Sequence, residues 1–249
     1  MKNRYLVTRA DDAGSCRSAN EAMLEAVEAG IIKNVSFMAC GPEIDHAVEL
    51  LSGRDDIAYG FHVCINAEWE DVKWGPVSSD SGLVDKNGHF LPFPADTKKH
   101  LETNNIGTSE ILREVSAQFE KLRVLGLPIT YLDEHMGVSW IGFRDELAAF
   151  CDQHNLIDHP RLPSLPKGNS SQDPLQEFIS RIEAADLDRY IWVTHPGKNA
   201  PDMQAFNLAG QPKGIVAIER AAEWSLLIDE RMPELFRKLN VTLCRYNDI

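Results

Sequence analysis

Short apolar β-type runs alternate with helical patterns along nearly the whole chain. This predicts an α/β fold, a distorted (β/α) TIM-like barrel built as a single domain over residues 1–249. The length agrees: 249 residues, 43% hydrophobic and 25% charged, suit one barrel domain of about 250 residues. Six or seven strands in such a chain favour a closed or nearly closed barrel over a small open sheet. Residues of chemical interest also stand at the C-terminal ends of the expected strands, where parallel α/β folds place their sites.

Taken in order, Tyr5–Arg9 reads as the first strand, and Ser18–Ala29 as a helix stopped by Gly30. Asn34–Cys40 is an expected strand, Glu43–Leu51 a helix and Ile57–Ile65 a third strand. Thr108–Leu125 has the pattern of a long amphipathic helix with Thr108 as its N-cap. A short strand at Ile129–Leu132 leads to a helix from about Phe143 to His154, and another helix covers Pro174–Ala185. Tyr190–Thr194 is the next strand. Helices at Ile215–Asp229 and Pro233–Lys238 precede a last strand, Val241–Arg245. Two stretches break the rhythm. Residues 66–105 carry Trp69, Trp74, an Asn87-Gly88 hairpin signal and Pro92/Pro94, and Ala200–Lys213 is similarly loop-like. Long loops inside a compact domain are usually functional, so 66–105 is read as an insertion and not a linker.

Composition excludes several roles. With 25 Lys+Arg against 38 Asp+Glu the net charge is −13, which argues against nucleic-acid binding and against attraction to anionic membranes. No run of about 18 apolar residues is present, and the N-terminal segment turns charged too soon for a signal-peptide core. Five scattered cysteines without a CxxC pair disfavour a disulfide framework or a Cys-rich zinc site, and most are expected in the core. A cytoplasmic protein is expected.

Four strand ends carry the chemistry: Asp11-Asp12-Ala13-Gly14, Gly60-Phe61-His62, Asp133-Glu134-His135 and His195-Pro196-Gly197. Singly, each has a plain structural explanation. Paired aspartates before glycine make turns and caps, a histidine in an apolar run is often a bonded core residue, and HPG makes a turn. Together they supply what a metal hydrolase needs. One carboxylate and two imidazoles hold a divalent ion that keeps open positions, a spare carboxylate takes a proton, and a further imidazole donates one. Gly14 relieves the backbone where the chain turns.

In this ordered set the chain resembles the YdjC-like carbohydrate deacetylases, related to the polysaccharide deacetylases. The resemblance runs from residue 9 to about 220. It implies that Asp12, His62 and His135 hold one divalent ion, Mg2+ or Zn2+, that Asp11 is the general base and that His195 is the general acid. It also implies hydrolysis of an N-acetyl group from an amino sugar or oligosaccharide. The chain departs from the family pattern at Arg9, usually Asn, at Ala13, usually aromatic, at Met136-Gly137, and in the run Glu68–Val77. These departures mark a side branch whose sugar is not fixed by the resemblance.

Some residues carry two readings. Trp69 and Trp74 either stack on sugar faces as substrate contacts or anchor the loop. Arg9 either contacts an anionic substrate group or pairs with neighbouring acids. Asp133 is expected to orient a histidine ligand, and Glu134 to support the site or face solvent. The expected partner is a small acetylated sugar, with a homodimer admitted. Two rival functions stand beside the deacetylase: a metal-dependent phosphoesterase, normally with two metals, and a non-catalytic carbohydrate-binding protein.

Overall fold

The computed structural model describes residues 3–79, 81–158, 162–169 and 173–249. The order opens β1 (Arg4–Ala13), α1 (Arg17–Glu28), β2 (Asn34–Phe37), α2 (Ile44–Leu51) and β3 (Ala58–Val63). After a long irregular stretch follow α3 (Pro94–Asn104), α4 (Thr108–Val124), β4 (Ile129–Glu134), a 3-10 segment (His135–Ile141), α5 (Arg144–His154) and β5 (Ile157–Asp158). The chain continues through α6 (Pro174–Glu183), β6 (Arg189–Thr194), α7 (Pro201–Gln204), α8 (Ile215–Leu227), α9 (Met232–Lys238) and β7 (Val241–Cys244).

All strand pairs are parallel, in a seven-stranded sheet ordered β5-β4-β3-β2-β1-β6, with β7 also on β1. One edge of β1 pairs with β6. The other is shared, with β7 alongside Arg4–Val7 and β2 alongside Arg9–Ala13. The sheet curls into a half-barrel. This corrects the expectation of a closed barrel, because no ladder joins β5 to β6 among the described residues. β5 is two residues long, and among the described residues a lone bridge from Ser164 to Ile191 is the only pairing on that side of β6.

Strand periodicity of two sorts the side chains. Leu6, Ala10, Val35, Phe37, Phe61, Val63, Leu132 and Trp192 join the large core that the helices cover. On the concave face Val7, Ala58, Tyr131, Ile191, Cys244 and Tyr246 form a small separate cluster. Continuing the same faces toward the C-terminal ends brings Arg9 and Asp11, then His62, Asp133 and His195, into the mouth of the half-barrel. Gly60 makes room in this face: a Cβ there would lie 2.2 Å from Cζ of Tyr131, whose hydroxyl is 2.8 Å from Ser36 Oγ.

The helical expectations hold to within a few residues, with differences elsewhere. Gly107, whose backbone is extended, and not Thr108 is the N-cap of α4, with no side-chain capping hydrogen bond. β1 runs on through the aspartates to Ala13, and β2 stops at Phe37. The stretch 66–105 ends in a helix, α3, opened by Pro94 and facing the core only through Pro94, Thr97 and Leu101. So sparse an apolar stripe leaves little 3.6-residue period to read. β5 is likewise too short to announce itself.

Candidate functional site

The paired aspartates owe their position to a bulge. Ala10 pairs with Val35 and Ala13 with Phe37, so β1 spends three steps where β2 spends two. Asp12 takes up the extra residue with φ of 69°, the left-handed region that a non-glycine residue enters at a cost of about 1–3 kcal/mol. Regular alternation would send Asp12 to the outer face with Ala10. The bulge turns it inward, so both aspartates line one cavity of about 250 Å³. Gly14 then turns the chain with φ of 100°, where a Cβ would meet the backbone of Ile44 at 3.1 Å.

Asp12 Oδ1 lies 3.4 Å from His62 Nε2 and 3.1 Å from His135 Nδ1. Donors around a tetrahedral ion with bonds of about 2.1 Å sit roughly 3.4 Å apart, so this set has the chemistry and spacing for one divalent cation. The far nitrogens are also held. His62 Nδ1 meets Asp133 Oδ2 at 3.1 Å, and His135 Nε2 meets Glu68 Oε2 at 3.0 Å. Carboxylates on the outer ring nitrogens fix the tautomer and the ring plane.

Electrostatics agree with a cation-binding centre. Burial alone would raise the Asp12 pKa, but His135 and Arg220 hold its carboxyl well below the usual carboxylate range. Burial opposes charge on both imidazoles. Asp133 and Asp11 nevertheless keep His62 well above the ordinary histidine value, and Cys64, Glu68 and Asp12 do the same for His135. A second acidic cluster, Asp11, His62 and Asp133, is already neutralised. Arg9 reaches Asp11 Oδ2 at 2.7 Å and Asp133 Oδ2 at 3.0 Å, and donates to the Tyr246 hydroxyl at 3.0 Å. Burial disfavours the Arg9 charge, yet these acids raise its pKa well above the usual value.

His195 lines the same cavity and also a neighbouring one of about 310 Å³. Its ring makes no hydrogen bond among the described residues, while its backbone N–H donates to Glu223 Oε2 at 2.7 Å. Gly197 lies against α8, donating its N–H to Arg220 O at 3.2 Å, and a Cβ there would lie 2.4 Å from Met203 Cε of α7.

The structure thus brings Asp11, Asp12, His62, His135 and His195 together. Arg9, Trp69 and Trp74 sit differently from the expected substrate contacts. All three are buried and none lines the cavity. Arg9 is consumed by Asp11 and Asp133. Trp69 packs edge-on against Phe206, and the Trp74 indole N–H donates to Asn66 O at 2.8 Å. Glu134 lines the cavity while its carboxylate accepts from Ser139 at the 3-10 turn. Two site residues escape sequence reasoning. Glu68 lies in an irregular run whose tryptophans draw the eye, and Arg220, on α8, donates to Asp12 Oδ2 at 2.9 Å. Only the acidic neighbours of Trp69 hinted at the first. Nothing local hints at the second.

Residues 5–238 match the family model described as YdjC-like protein. A carbohydrate deacetylase of Geobacillus stearothermophilus is 27% identical over 66% of this chain and 60% of its own length. A chitooligosaccharide deacetylase of Yersinia enterocolitica is 30% identical over 53% of this chain and 49% of its own length. The chain therefore spans about half to three fifths of these relatives. A chitooligosaccharide deacetylase of Yersinia pestis is 26% identical over 74% of this chain and 76% of its length. A crystal structure from Enterococcus faecalis, provisionally named a cellobiose-phosphate cleavage protein, has the same fold, with a TM-score of 0.72 over 99% of both chains at 16% identity.

Proposed function

The chain belongs to the YdjC-like family, and from that premise we propose that it is a metal-dependent hydrolase that removes the N-acetyl group from an amino sugar or short oligosaccharide. One observation carries the reading. Three metal donors, a carboxylate outside that donor set and an unengaged imidazole all line a single cavity. The names of the deacetylases it resembles supply the substrate class.

Asp12, His62 and His135 would hold one divalent cation, zinc or magnesium. When bound, such a cation supplies Lewis acidity toward the acyl oxygen and acidifies a water molecule. Asp11 is the general base. Arg9 fixes its carboxylate plane, and each carboxylate oxygen keeps a further lone-pair site with which to accept the proton of the attacking water. His195 is the general acid that protonates the departing amine, giving acetate and the free amino sugar. Glu223, holding the His195 backbone, keeps the imidazole at the rim. Residues 1–249 act as one barrel-like domain, with 66–105 an insertion serving this site. Five free cysteines accord with a reducing cytoplasm. No described helix is long and apolar enough to cross a membrane.

Arg9 speaks against the phosphoesterase alternative, because it fills the acidic cluster where a second metal would sit. The deciding experiment is an acetate-release screen over N-acetylated mono- and oligosaccharides, with zinc or magnesium supplied. Release that depends on the added ion supports the reading. Silence across the panel with one ion bound per chain would leave a sugar-binding protein.

A further inference from the structure

Glu68 and Trp69, neighbours on the irregular stretch after β3, reach two different members of the donor set. Glu68 only accepts, so its contact with His135 places the proton on Nε2 and leaves Nδ1 facing Asp12. Trp69 works at one remove. Its ring and that of Phe206, packed edge-on with centroids 5.3 Å apart, lie side by side against the Arg220 guanidinium, with Cζ 5.5 Å and 5.9 Å from the ring centroids. Arg220 Nη2 donates to Asp12 Oδ2, while the buried Nη1 has no hydrogen-bond partner among the described residues. The guanidinium is therefore located by one ion pair and two aromatic faces, each face contributing about 0.5–2 kcal/mol. Trp74 adds an edge-on contact to His135 at 6.1 Å.

We propose that the Glu68–Trp74 segment is a brace that sets metal affinity: Glu68 positions His135 directly, and Trp69 positions Asp12 through Arg220. The proposal builds on the donor set assigned above. It gives the aromatic run a task other than sugar stacking, for which both indoles are too deeply buried. Carboxylates behind a metal-binding histidine commonly change affinity by about 10–100-fold when removed. Trp69 is a positioning residue: it does not line the cavity and acts through Arg220, which does.

The test is calorimetric titration of the full metal-free chain with zinc alone. Glu68→Gln is expected to weaken zinc binding by about 10–100-fold. Trp69→Leu is expected to weaken it by about three- to tenfold, and Trp69→Phe, which keeps an aromatic face, by less. In an Arg220→Lys background the Trp69→Leu loss shrinks, because the route to Asp12 is altered. If Trp69→Leu does not fold, Phe206→Leu removes the neighbouring ring against the same guanidinium and takes its place. Zinc binding unchanged in Trp69→Leu, with a raised sugar KM at saturating zinc, overturns the brace and restores the stacking platform. Failure of the unsubstituted chain to bind zinc or magnesium is a separate result and removes the donor set itself.

Discussion

Arg9 and Asp11, two residues apart on one face of β1, form a two-point ion pair in which Nε and Nη2 each meet one carboxylate oxygen. Both side chains are about 5% exposed. A guanidinium fork fixes a carboxylate in plane and in distance, which a shorter amide side chain cannot do. The same guanidinium also serves Asp133, which in turn holds His62.

Arg9→Met should therefore destabilise the protein by about 3–5 kcal/mol, because it strands two buried carboxylates. Denaturant titration at neutral pH checks this. A loss under about 1 kcal/mol would mean that Asp11 and Asp133 find other partners.

Zinc or magnesium binding should release protons and should weaken as the pH falls. The acids around His62 and His135 raise both imidazole pKa values, so in the ion-free site a cation must displace protons from its ligands. Calorimetry in buffers of different ionisation enthalpy measures the release directly. His62→Ala and His135→Ala should each abolish binding at micromolar zinc.

Gly60→Ala should cost about 1–3 kcal/mol through overpacking. The added methyl meets the Tyr131 ring, which is wholly buried and tied to Ser36. Thermal unfolding reports the loss. The Gly60→Ala, Tyr131→Phe double variant should recover little, because removing the hydroxyl at 2.6 Å leaves the ring carbons Cζ and Cε2 at 2.2 and 2.3 Å.

Helix α1 borrows its cap. Cys16 at the N-cap makes no capping hydrogen bond, and Asp202 of α7 accepts from the Ser18 backbone N–H at 2.9 Å and from the Ser18 hydroxyl. Burial would raise the Asp202 pKa, but these hydrogen bonds hold it below the usual value. A carboxyl depressed in the folded state contributes stability above its unfolded pKa of about 3.9 and loses it as pH falls through the folded value. Asp202→Ala should cost about 1 kcal/mol near neutral pH, and the difference from the unsubstituted protein should fade under acid.

The strand ends were legible because polar residues interrupting apolar runs stand out against a period of two. That contrast alone points to Asp11, Asp12, His62, His135 and His195. Arg220 was not legible. It sits on an ordinary helical face, and only the sheet's curl and the close approach at Gly197 carry α8 to Asp12. The bulge at Asp12 was hidden too, since register with β2 is a property of two strands and not of one. Trp69 and Trp74 read equally as sugar platforms or loop anchors, because aromatic residues in a loop suit both. Their burial beside Arg220 and His135 is a matter of packing that no single segment encodes. Closure of the barrel failed for a similar reason, since β5 has too few residues to carry a ladder.

The most direct test of the central claim is acetate release from N-acetylated sugars by the metal-loaded chain and by Asp11→Asn, with zinc binding measured on the same samples. The account predicts that Asp11→Asn binds zinc nearly as well as the unsubstituted chain yet releases acetate about 10²–10⁴-fold more slowly. Equal acetate release by both proteins at equal zinc occupancy would contradict it.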